Sequence, residues 1–271
     1  MAVLNNWITH NLHDRFNDLS IGLEIKLHPY KFKPMDFHEA ADFTAARINE
    51  KHQNIFLSFS GGADSDYVFH CFQRNSINFT PIIVKTSGNA IEMAYALHTC
   101  RKFNVTPTII DINNKEYMSI FAEDIIKKIS GVGIEAIPGI VACRYAKSQN
   151  GILVIGEHMI DNDEENIWIG VNEWDYYNEI FVGDEYNLPF FNYTVEMTWA
   201  MASSIEQIPI DEWKWQTYGL DFRPKIHYTF PQLFSELRAK LSRNRKVTPK
   251  SNFIVGSKED LLTLLASYIN N

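Results

Sequence analysis

Cysteine is scarce in this chain. Cys71, Cys100 and Cys143 are the only three among 271 residues. They form no Cys-x-x-Cys pair and their number is odd, so no disulfide framework is expected and a reducing compartment is. Long apolar runs are missing too. No stretch is apolar enough over enough residues to span a bilayer, and residues 1–10 lack a basic segment followed by an apolar run. A cytoplasmic protein without a membrane partner is the expectation. Internal repeats and low-complexity segments are absent, as is the Gly-x-x-x-x-Gly-Lys-[Ser/Thr] pattern of Walker-type phosphate loops. Positive charge is in deficit: 25 Lys and Arg face 33 Asp and Glu, a formal charge of −8. Such a surface does not draw in a polyanion over long range.

What is present is enough apolar material for a substantial core, at 45% hydrophobic and 21% charged residues. Aromatic content is high at 13%, and much of it lies after residue 165. One basic run interrupts the acidic background, from Arg238 through Arg243 and Arg245 to Lys250, opposed only by Glu236. A solvated helix end and tail accounts for such a run; contact with nucleotide or nucleic-acid phosphates is the functional alternative.

Residues 1–53 read as a lead-in region. Residues 21–27 alternate apolar and polar, a half-buried strand pattern, and Asp36 precedes a helical segment to about Lys51. A different rhythm begins at Asn54. Residues 55–59, 81–84, 106–112 and 151–155 read as strands, with helices over 64–74, 89–103, 116–129 and 140–148 between them. This predicts right-handed β-α-β units and a doubly wound parallel sheet, an α/β Rossmann-like fold that binds ligands beyond the carboxyl ends of its strands. After Gly156 the rhythm fades. Residues 161–187 are acidic and aromatic, residues 194–209, 230–241 and 258–269 look helical, and residues 211–218 carry two tryptophans. The expected organisation is the lead-in, a ligand-binding domain over 54–165, and a mostly helical, aromatic-rich, substrate-facing part over 166–271.

The chemistry concentrates at residues 60–65, Ser-Gly-Gly-Ala-Asp-Ser, placed directly after an apolar strand and directly before a helix. Gly61 and Gly62 let the backbone turn sharply and approach a ligand. The first amides of the helix have no internal partners, and the helix dipole favours negative charge there, so the turn is an anion site. Ser60 and Ser65 add hydroxyls. Asp64 can cap the helix or hold a Mg²⁺ that bridges phosphate oxygens.

This segment resembles the signature of the PP-loop ATP pyrophosphatases, Ser-Gly-Gly-x-Asp-Ser, at all five specified positions. A chance match in a chain of this composition is roughly one in several thousand. The resemblance covers about residues 54–165. It implies a doubly wound sheet whose loop grips the β,γ-pyrophosphate of ATP, with cleavage between the α and β phosphates giving an AMP-activated substrate and pyrophosphate. It further implies that Leu57, Ser58 and Phe59 from the first strand, and Val84 and Lys85 from the second, flank the adenosine. Residues 152–164 resemble a second element of the family, an apolar strand followed by Gly, an acidic or His residue, and Asp a few residues on. Gly156, Glu157 and His158 fit its start. Asp161 fits the spacing of tRNA-lysidine-synthetase-like members better than that of asparagine-synthetase-like ones. Asp64 and Asp161 are then the candidate Mg²⁺ ligands, and a solvated acidic turn is the alternative for Asp161.

Pyrophosphate also needs a cation. Arg223 and Lys225, in an apolar and aromatic setting, and Arg144, one helix before the fourth strand, are the candidates. Ordinary surface charges are the alternative for all three. Three functions remain open. The first is an AMP-forming ligase or amide synthetase that adenylates a carboxylate or carbonyl. The second is an adenylating enzyme that modifies a tRNA or DNA base. The third is a non-catalytic ATP-binding sensor. The acceptor, small molecule or nucleic acid, is not readable, and the aromatic C-terminal half is a candidate surface for a homo-oligomer.

Overall fold

The computed structural model describes residues 7–10, 25–120, 137–157, 160–162, 167–171, 186–205, 210–221 and 253–269. Strands β1 (Ile8–His10) and β2 (Ile25–Leu27) pair antiparallel. Helix α1 (Phe37–Lys51) follows, capped by Asp36, whose Oδ1 accepts the Glu39 N–H at 2.8 Å. The alternating core then runs β3 (Ile55–Ser58), α2 (Ala63–Arg74), β4 (Phe79–Lys85), α3 (Ala90–Lys102), β5 (Thr108–Asp111), α4 (Asn114–Ile120), α5 (Ile137–Ser148) and β6 (Ile152–Ile155). Beyond it come β7 (Ile160–Asn162), β8 (Ile167–Val171), β9 (Asn187–Pro189), α6 (Val195–Ser204), α7 (Ile210–Tyr218), β10 (Phe253–Ser257) and α8 (Lys258–Ile269).

Five strands form a parallel sheet in the order β5-β4-β3-β6-β9. Chain order therefore reverses between β3 and β6, the point at which doubly wound sheets open a crevice. The inner strands β3 and β6 are apolar and buried almost throughout because both of their faces are covered, whereas the edge strand β5 alternates and leaves Ile109 exposed. Alternate residues go to opposite sides. Ile55, Leu57, Ile83, Ile152 and Val154 join one core. Phe56, Ile82, Val84, Leu153 and Ile155 join the other. The first core is closed by α1, α2, α3, α6 and α7 and is rich in rings; the second is closed by α5 with Ile137, Ile140, Ala142, Cys143 and Ala146. Apart from the β1-β2 pair, the remaining strands make a separate antiparallel sheet, β10-β8-β7.

Several expectations change here. β4 is longer than residues 81–84, and α5 starts three residues earlier than Ile140, with Pro138 inside its first turn, where a missing N–H costs nothing. The parallel sheet does not end at β6: β9 pairs with it from beyond residue 165. Residues 211–218, singled out only for their tryptophans, belong to α7. The helix expected over 230–241, most of that expected over 116–129, and the basic run at 238–250 lie outside the described residues. Among the described residues no helix is long and apolar enough to cross a membrane.

Candidate nucleotide site

The 60–65 loop leaves the carboxyl end of β3 and enters α2 at the crevice. Gly61 takes φ +86°, and a Cβ there would lie 2.5 Å from the Glu92 carbonyl oxygen and 2.9 Å from the Ala96 nitrogen. Both conformation and space demand glycine, because the loop rests on the backbone of α3. Gly156, just past β6, meets the loop from the other side. A Cβ on it would lie 2.8 Å from the Ser65 nitrogen and 2.9 Å from the Asp64 carbonyl carbon. The structure thus brings together residues 60–65 and Gly156, which the sequence separates by some ninety positions.

Inside the loop, the Gly62 N–H donates to Ser60 Oγ at 3.2 Å, and Ser65 Oγ donates to the Gly62 carbonyl at 3.2 Å. The two serine hydroxyls are 3.2 Å apart. Helices α1 and α6 have side-chain caps, Asp36 and Thr194, whereas α2 begins at Gly62 and has none. An anion at its first turn would meet donors that no cap has taken. Asp66, fully buried, accepts from Thr99 Oγ1 at 3.0 Å and so ties α2 to α3.

Asp64 has partners that the sequence did not announce. Lys214 Nζ donates to its Oδ2 at 2.7 Å, and the Tyr218 hydroxyl donates to its Oδ1 at 2.7 Å. Lys214 and Tyr218 are four residues apart on α7, so they share one helix face. The Lys214 side chain is only 12% exposed and that of Asp64 25%. Burial, then the negative charge of Asp64 and the bond to it, hold the Tyr218 phenol well above its ordinary range, so it remains a donor. The ring of Tyr218 stacks on Tyr67 at 4.6 Å, and also on Phe37 and Phe191. Trp213, buried in the same cluster, anchors α7 by donating from Nε1 to the Ser204 carbonyl at 2.8 Å. The available signal in the sequence was the spacing: a lysine and a tyrosine at i and i+4 flanking an apolar tryptophan.

The other candidates are placed unevenly. Leu57 and Phe59 are buried in the core, Ser58 ends β3, and Val84 is buried one residue before the end of the adjacent β4. The Val84 carbonyl accepts from Asn89 Nδ2 at 2.7 Å, which fastens the turn after β4. Lys85 pairs with Asp111. Glu157 is exposed beside Gly156. Arg144 lies past the middle of α5, which packs on the opposite face of the sheet. A helix preceding a parallel strand runs back along the sheet, so this half of α5 faces the amino ends of the strands, away from the loop. The β7 backbone carries Asp161, opposite Trp168 on β8. Arg223, Lys225 and His158 lie outside the described residues.

No family model matches the chain, and no curated protein does. Solved structures with similarity include an NMN synthetase from Francisella tularensis at 17% identity, covering 46% of this chain and 56% of that one with a TM-score of 0.35. The chain therefore spans little more than half of that protein's length. They also include an NH3-dependent NAD synthetase from Campylobacter jejuni subsp. jejuni, at 16% identity over 87% of this chain and 94% of that one, TM-score 0.38. A predicted subunit of tRNA methyltransferase from Methanocaldococcus jannaschii matches at 15% over 77% and 99%, TM-score 0.39. Likeness at these identities transfers no residue role to this chain. The resemblance to PP-loop proteins stands on this chain's own residues: the intact signature lies between a parallel strand and a helix, at the switch point of a doubly wound sheet.

Proposed function

We propose that the protein binds ATP at the 60–65 loop, cleaves it between the α and β phosphates, and adenylates a carboxylate or carbonyl that a nucleophile then attacks. The observation that carries this reading is the uncapped start of α2, pressed between α3 and Gly156 at the crevice. In this reading the first-turn amides and the hydroxyls of Ser60 and Ser65 hold the pyrophosphate portion, and the ends of β3 and β4 at Ser58, Phe59, Val84 and Lys85 flank the adenosine. Lys214 exchanges its bond to Asp64 for one to a phosphate oxygen, bringing a cation to the leaving pyrophosphate without crossing solvent. Tyr218 stays on Asp64 and keeps that carboxylate oriented. Arg223 and Lys225 remain proposed contributors from the following segment.

Mg²⁺ fits this site in a limited way. Among the described residues no three acidic, histidine or cysteine side chains converge on a metal. Mg²⁺ at nucleotide sites is held by one or two carboxylates, water and the phosphates. Asp64 would supply one carboxylate and Asp161 the other, and the bound ion would neutralise phosphate charge.

The test is ATP cleavage with Mg²⁺ in the presence of carboxylate and amine panels, scored for products. AMP plus pyrophosphate from the parent, reduced at least about 100-fold in Asp64→Asn and in Lys214→Met, is the expected result. ADP plus phosphate, or tight ATP binding with no cleavage under any condition, would overturn it and favour a sensor.

A further inference from the structure

A second cavity, of about 340 Å³, lies between α1, the start of α6 and the segment before α1. That volume falls at the small end of ligand pockets, roughly 300–1,000 Å³. One wall is a single stripe of α1: Phe43, Arg47 and Lys51, spaced by four residues and hence on one face. The facing wall is Tyr193 and Glu196, and the hydroxyls of Thr44 and Thr194, 2.6 Å apart, pin the two helices beside it. Cations sit over rings on both sides, Arg47 over Phe43 at 5.4 Å and Lys51 over Tyr193 at 5.5 Å.

Two groups in this cavity are poorly served by the described protein. Trp7 lines it, only 2% exposed, and its Nε1 is a buried donor without a hydrogen-bond partner. Glu196 is 6% exposed and makes no ion pair among the described residues; its carboxyl is pushed up by burial, against which its own N–H and Arg47 act. Arg47 gives one donor to Glu50 at 2.9 Å, which leaves most of its five-donor fork available. A plain anion would meet Glu196 at close range. A plain cation would meet Arg47, Lys51 and Lys31. A ligand bearing both charges meets neither penalty.

We propose that this cavity binds an α-amino acid, or a similar zwitterion, with a flat apolar side chain. Its carboxylate engages Arg47 and Lys51, its ammonium engages Glu196, and its side chain lies between the rings of Phe43 and Tyr193. The site is separate from the nucleotide loop and does not depend on the ATP reading. Along α1, His38 meets Tyr67 of α2 and Asp42 meets Arg74 at the end of α2. Arg47 and Lys51 lie further on, and the 12 residues of α2 rise roughly 18 Å from the loop.

Isothermal titration of the full chain with L-phenylalanine and L-tryptophan tests this, against 3-phenylpropionate and phenethylamine, each lacking one charge. The expected result is saturable binding of an amino acid at least tenfold tighter than either single-charge analogue. Arg47→Gln and Glu196→Gln should each weaken it at least tenfold, while Asp64→Asn should not change it. Should Glu196→Gln not fold, Lys51→Met on the exposed side of the cavity takes its place. Binding of the plain acid as tightly as the amino acid, or no saturable binding of either probe amino acid, overturns the proposal whatever the ATP measurements give.

Discussion

The two faces of the parallel sheet are built on different plans. The α5 face is local: apart from partly buried Tyr186 packed against it, its core runs from Phe56 to Ile155 and is closed mainly by small and aliphatic side chains, joined by Tyr117 and by Tyr145, which meets Phe56 edge-on. The opposite face draws on nearly the whole chain, from Trp7 through Phe37 and Phe191 to Leu265, and closes with stacked rings. Asp64 is bound to the second plan, because Tyr218 belongs to both the ring stack and the carboxylate. One face carries the sheet; the other carries the sheet and positions the loop.

Paired core truncations put the largest strain on that contrast. Phe191→Ala removes a ring stacked on Tyr218, Tyr67 and Phe37 and should cost about 3–5 kcal/mol. Ile140→Ala on the α5 face should cost about 2–5 kcal/mol. Denaturant titration is expected to find both large, whereas nucleotide affinity should fall for Phe191→Ala only. Equal losses of affinity would erase the distinction between the faces.

Two glycines sharpen it next. Gly61→Ala drives a Cβ into backbone atoms of α3 at positive φ, and a loss of about 3 kcal/mol or more is expected from clash and strain together. Gly219→Ala, at φ +64° with nothing within 4 Å, should lose only about 1–2 kcal/mol. The same denaturant titration orders them.

Tyr218→Phe comes third. It removes one donor to Asp64 and should cost about 1–2 kcal/mol. Because the folded phenol is raised above the ordinary value of 10.0, its stabilising share is fully present below about pH 10 and is lost as pH rises through the folded value. Thermal unfolding of the parent should therefore fall more steeply above pH 10 than that of Tyr218→Phe; parallel slopes would contradict the burial of this hydroxyl.

The smallest effect is a silence. All three thiols are buried, and the Cys100 thiol is pushed up to about 11 by burial and by Asp66. At pH 8 about one molecule in a thousand would carry that thiolate. A thiol-specific reagent should react with none of the three before denaturation and with all three after it.

What could be read from the sequence follows the same division. Among the described residues of 54–157, the strands, helices and phosphate loop were legible because each element is marked by its own period or its own glycines. β9 carries no such mark: Asn187-Leu188-Pro189 is three residues long and is a strand only because β6 lies beside it. Pro138 and Gly139, residue types that usually break helices, sit in the first turn of α5. Lys214 carries no mark of its own in the sequence, since its burial comes from α2 packing on α7. Local chemistry is legible in one dimension, and partners 150 residues distant are not.

The span of the Asp64 bonds also sets an order in time. Lys214 and Tyr218 are made 150 and 154 residues after the aspartate they hold. At roughly 5–20 residues per second, a ribosome leaves the loop waiting about 8–30 s for them. A growing chain that has all of β3 through β6 has its phosphate turn but not the lysine and tyrosine that steady it. Shortened products ending before α7 would inherit the same deficit, so the loop's finished form belongs to the longer chain.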